Sequence, residues 1–92
     1  MRLSEQEIIN AVCLHEAERR QISPNQVQVE LMWDEELGFS AEIEAYGRNQ
    51  FLVEANLKEA IERYLLKQHD IRVFRDQIRL ELDEEIFADI HI

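Results

Sequence analysis

Two stretches of this chain read as copies of one another. Gln26-Val27-Gln28-Val29-Glu30-Leu31 lines up with Gln77-Ile78-Arg79-Leu80-Glu81-Leu82, and Asp34-Glu35-Glu36-Leu37 with Asp83-Glu84-Glu85-Ile86. Ser40-Ala41-Glu42-Ile43-Glu44-Ala45 then lines up with Phe87-Ala88-Asp89-Ile90-His91-Ile92, once two gaps drop the counterparts of Met32-Trp33 and Gly38-Phe39. Alternation alone would match the apolar positions of two unrelated hairpins, but not the shared Gln…Glu-Leu and Asp-Glu-Glu. Upstream, Ile8, Ala11 and Val12 correspond to Leu57, Ala60 and Ile61. Each half therefore reads as helix–strand–strand. One helix and one hairpin are too little to bury their own apolar face, so the two units must shelter each other. The expected fold is α+β: a two-layer αββαββ sandwich, with one four-stranded, mainly antiparallel sheet carrying two helices on one face. Residues 1–92 form a single domain, whose halves (roughly 1–47 and 53–92) are related by a pseudo-twofold axis.

Local signals fill in the units. Ser4 and Glu7 make the S-x-x-E capping box, with Leu3 and Ile8 as its hydrophobic staple. Helix 1 is expected from about Glu5 to Arg20, where Arg19 and Arg20 meet the negative end of the dipole. Ser23-Pro24-Asn25 stops it. Val27, Val29, Leu31 and Trp33 alternate as a strand with one buried face. Asp34 to Gly38 is a hairpin loop, and the strand returns from Phe39 to Tyr46. Phe51-Leu52-Val53 is ambiguous between sheet edge and helix entry. Asn56 and Glu59 repeat the capping spacing, although a start one turn earlier is also open. Leu57, Ala60, Ile61, Tyr64 and Leu65 form the second helical stripe, which ends near Gln68-His69-Asp70. Residues 86–92 alternate as a strand, with a short helix capped by Asp83 as the rival.

Charge narrows the function classes. Twenty Asp+Glu against ten Lys+Arg give −10. Such a surface opposes phosphate backbones and anionic membranes, which require cations to displace counterions, so direct nucleic-acid and membrane binding are not expected. No apolar run reaches the length of a signal h-region or a membrane span, which suggests the cytoplasm. A single Cys allows no internal disulfide.

Chemistry-bearing patterns are sparse. Cys13 and His15 do not share a helical face; Cys13 reads as a small buried hydrophobe and His15 as a satisfied interior or boundary histidine. No HExxH, CxxC or HxH spacing is present, no Gly-rich phosphate loop and no calcium loop. Neither a cofactor nor a metal is expected, and no catalytic residue stands out. The most individual segment is Trp33-Asp34-Glu35-Glu36-Leu37-Gly38-Phe39, an acidic tip between two aromatics that contains both extra dipeptides of the first half. Its rings continue the inward alternation, which favours a place in the core; the alternative is that an aromatic–acid–aromatic tip is a recognition loop. Trp33, Asp34, Glu35, Glu36 and Phe39 are thus the candidate protein-contact residues.

The opening Leu3-Ser4-Glu5-Gln6-Glu7-Ile8-Ile9-Asn10-Ala11, with Val29-Glu30-Leu31-Met32-Trp33-Asp34, Gly38-Phe39-Ser40-Ala41-Glu42 and the length, resembles a small family from Bacillus and relatives, the YxcD-like proteins. The resemblance implies a cytoplasmic bacterial protein and carries over no functional residue. The expected function is a non-enzymatic module acting through an unknown protein partner, with room for a homodimer. One alternative is an acidic inhibitor or nucleic-acid mimic that fills a basic groove. A second is a small enzyme or metal-binding protein using His15, His91 and sheet carboxylates.

Overall fold

The computed structural model describes all residues, Met1–Ile92. Its strands are β1 (Arg2–Leu3), β2 (Gln28–Asp34), β3 (Gly38–Ala45), β4 (Arg48–Val53), β5 (Ile78–Leu82) and β6 (Ile86–Ile90). Its helices are α1 (Glu5–Arg20) and α2 (Glu54–His69), and 3₁₀ turns at Pro24–Gln26 and Arg75–Gln77 lead into β2 and β5. The fold is α+β, with two helices and two three-stranded antiparallel sheets ordered β2-β3-β4 and β1-β6-β5.

The expected single four-stranded sheet is therefore corrected. Two further strands exist, and each joins a hairpin. Tyr46 and Gly47, at φ 53° and 74°, turn the chain tightly enough for Arg48–Val53 to return along β3. Two consecutive left-handed residues make the primed turn that matches strand twist. The ambiguous Phe51-Leu52-Val53 is strand, with Leu52 buried against Ala41 while Phe51 and Val53 point outward. Leu3, expected only as a staple, also pairs with Ala88, and the Ile90 N–H donates to the Met1 carbonyl at 2.7 Å. Arg2 stacks on the Phe87 ring at 3.9 Å, which holds this short strand from the outer side.

The order strand–helix–3₁₀ turn–strand–strand thus occurs twice, and the second pass begins at Arg48 rather than near residue 53. β1 of the first pass completes the hairpin β5-β6, and β4 of the second completes β2-β3. Register also corrects the pairing of the two halves. Leu3 lies opposite Ala88 as Leu52 lies opposite Ala41, so Ala41 corresponds to Ala88. Leu31 lies opposite Ala41 and Leu80 opposite Ala88, so Leu31 corresponds to Leu80, not to Leu82. The textual match is displaced by two residues over β2 and β5, while its pairing of Ala41 with Ala88 over β3 and β6 holds. A shift of two keeps every side chain on its face, which is why the inward and outward assignments survive it.

The helices form as the caps dictate. Ser4 Oγ accepts from the Glu7 N–H and the Ser4 N–H donates to Glu7 Oε1, both at 3.2 Å. α2 starts a turn earlier than Asn56: Val53 takes the cap position and its N–H donates to Asn56 Oδ1 at 3.0 Å. Both helices end in a left-handed residue, Gln21 and Asp70. Each helix buries one stripe, Ile8, Ala11, Val12, Glu16 and Ala17 in α1 and Leu57, Ala60, Ile61 and Leu65 in α2. These stripes and the inner residues of both sheets form one core. Residues 86–90 are strand, not helix, because Ile86, Ala88 and Ile90 fill that core at a period of two.

Candidate functional site

The acidic hairpin tip is shaped by its own side chains. Asp34 Oδ1 accepts from the Glu36 N–H at 2.7 Å and the Leu37 N–H at 3.3 Å, an Asx turn that closes the loop. Gly38 follows at φ 74°, a conformation that strains any residue with a Cβ. Trp33 and Phe39 face each other directly across the strands. Phe39 is half-buried and packs against the core, whereas Trp33 remains 45% exposed. The two readings of this aromatic pair therefore divide: Phe39 anchors the tip and Trp33 offers its ring to solvent. Asp34, Glu35 and Glu36 are exposed beside it, and Leu37 is 77% exposed. The second hairpin has neither aromatic; Leu82 and Ile86 occupy its last pair.

Other residues singled out above are scattered. Cys13 is half-buried and its Sγ donates to the Val27 carbonyl at 3.2 Å. Burial pushes its thiol pKa up, which disfavours the nucleophilic thiolate. His15 lines the cleft between α1 and α2, whereas His91 lies with Asp76, Gln77, Arg79 and Asp89 in a different cavity. The structure does not bring His15 and His91 together. No group of three or more His, Cys, Asp or Glu side chains is placed to hold a metal ion.

Two features escaped sequence reasoning. The outer face of β2-β3-β4 sets Glu30 against Glu42, a like-charge pair directly across the strands. Asn49 donates to Glu42 Oε2 at 3.0 Å. On the same face Phe51 and Val53 are 64% and 59% exposed. Alternation of Phe51 and Val53 around Leu52 was the available signal, left open between sheet edge and helix entry. The second feature is Glu16, buried at 1% exposure in the position where α2 carries Leu65.

The model of a family described as "Protein of unknown function (DUF2653)" matches residues 1–85. The chain belongs to this family. No curated protein and no solved structure matches it. The match covers the complete acidic tip, so Trp33 to Phe39 is part of the DUF2653 unit rather than an appendage to it. No helix is long and apolar enough to cross a membrane.

Proposed function

We propose that this DUF2653 protein is a non-enzymatic interaction module whose contact point is the β2–β3 hairpin tip. The observation that carries the reading is the exposed ring of Trp33, set across the strands from the half-buried Phe39 and beside an Asx-closed acidic turn. Aromatic residues dominate interface energetics, and an Asx-closed loop loses little entropy on binding. The chemistry suits a partner with an apolar pocket rimmed by Lys or Arg. Net charge of −10 would speed encounter with such a partner. The YxcD-like resemblance and the lone thiol favour the bacterial cytoplasm as the compartment. We further infer that the chain arose by doubling one strand–helix–strand–strand unit, after which the first hairpin gained its aromatic tip.

The test is affinity capture from the native host with wild-type protein, Trp33→Ala and Asp89→Asn. The reading expects a partner retained by wild type and Asp89→Asn but lost by Trp33→Ala, with all three chains giving the same far-UV circular dichroism. Capture unaffected by Trp33→Ala would reject it. The mimicry reading draws on the Glu30–Glu42 pair and neighbouring Glu44. It expects capture to collapse between low and moderate salt, whereas an aromatic-centred contact falls only modestly.

A further inference from the structure

The cleft between α1 and α2 is rimmed mainly by bases although the chain as a whole is acidic. Small side chains at Ala11, Ala17 and Ala60 let the helices approach and leave a hollow of about 280 Å³ above them. That size falls just below the usual range of about 300–1,000 Å³ for small-molecule sites. Leu14 and Tyr64 make apolar walls, and the Tyr64 ring is braced edge-on by His69 at 5.4 Å between centroids. The rim carries Arg63, Lys67 and His15 against one carboxylate, Glu18, in a chain with twice as many acids as bases. Lys67 is engaged, because it bridges to Glu18 across the helices. Arg63 is exposed and makes no ion pair. The hydrogen bond and charge of Lys67, with Arg63 and His15 adding, hold the Glu18 carboxyl below the usual range. Negative charge is therefore favoured at this mouth even though the molecule as a whole repels anions.

We propose that this cleft binds a small organic carboxylate, its apolar body lying between Leu14 and Tyr64 and its charge received by the unpaired Arg63 guanidinium. The site is separate from the hairpin tip. An arginine with no carboxylate partner offers the planar fork that such a group accepts best.

Benzoate is the probe, followed by amide NMR shifts of the full chain, with benzamide as its uncharged counterpart. Saturable shifts should centre on Ala11, Leu14, Ala60 and Tyr64, in the millimolar range or tighter. Benzamide and Arg63→Gln should each bind about tenfold more weakly, the loss expected for one charge-assisted contact. Lys67→Gln, which frees Glu18 to repel the ligand, should weaken binding as well. Equal affinity for benzoate and benzamide, shifts confined to the Trp33 hairpin, or no saturation would overturn the proposal. Arg63 is on the surface, so its variant folds and remains informative.

Discussion

Glu16→Leu should make the protein more stable. Glu16 is 1% exposed in the α1 stripe, where the neighbouring stripe places a fully buried Leu65. Its Oε2 meets Arg19 Nη1 at 3.0 Å, and its Oε1 lies 3.3 Å from Arg20 Nη2 without forming a directed hydrogen bond. Leaving that oxygen unsatisfied costs about 1–3 kcal/mol. Arg19 is 54% exposed and Arg20 25%, so solvent screens both ion pairs and they return about 0–1 kcal/mol each. Leucine of similar volume removes the orphan and adds apolar burial, for a net gain of about 1–2 kcal/mol. Such a gain corresponds to about 5–15 °C in Tm for a domain of this size. Urea denaturation followed by far-UV circular dichroism reads it directly. The companion variant is Arg20→Ala. In the wild type it strips cover from a buried charge and removes the 2.6 Å bond to Gln50 Oε1, so it should cost about 1–3 kcal/mol. In the Glu16→Leu background it should cost clearly less, because the buried charge is gone. A loss of 1 kcal/mol or more on Glu16→Leu alone would refute this balance.

Four further outcomes are expected. Tyr46→Asn should stabilise by about 1 kcal/mol, since Tyr46 is 70% exposed and sits at φ 53°, which asparagine tolerates better; urea midpoints read it. Gly38→Ala should cost about 1 kcal/mol through backbone strain alone, because its new Cβ would meet only Glu54 Oε1 at an ordinary 3.7 Å; the same titration checks it. Phe39→Ala should lose more stability than Trp33→Ala, about 3 against about 1 kcal/mol, because only Phe39 packs on the core. Cys13 should react slowly with a thiol reagent at neutral pH. Its folded pKa is raised by burial, so its contribution to stability is complete below the ordinary thiol pKa and is lost as pH rises through the raised value; alkaline unfolding of wild type against Cys13→Ala reads this.

Much of the fold was legible because burial on one face imposes periodicity. Ala41, Ile43 and Ala45 alternate with Glu42 and Glu44, and Ile8, Ala11 and Val12 recur at helical spacing. Helix 1 was legible to its ends, since Ser4 and Glu7 cap it by chemistry that is local in sequence. The missing strands were not legible for two different reasons. β1 is two residues long and exists only through its distant partner Ala88, a contact no local pattern encodes. β4 exposes Phe51 and Val53 and buries only Leu52, so its alternation carries the opposite polarity to a solvated sheet face. The first strand of the repeat, β2 against β5, was seen one pleat period out of register, because strand text repeats every two residues and only the cross-strand pairs fix the phase. At the tip, the sequence left open which ring packs on the core, because alternation sets the face of a side chain and not how much of it is covered.

The most direct test of the architecture is the pattern of long-range backbone NOEs in the labelled protein. The account predicts contacts of Leu3 with Ala88 and of Leu52 with Ala41, each hairpin completed by the leading strand of the other half. Contacts tying β1 to β2 or β3, or an unprotected Leu3 amide with β6 left two-stranded, would contradict it.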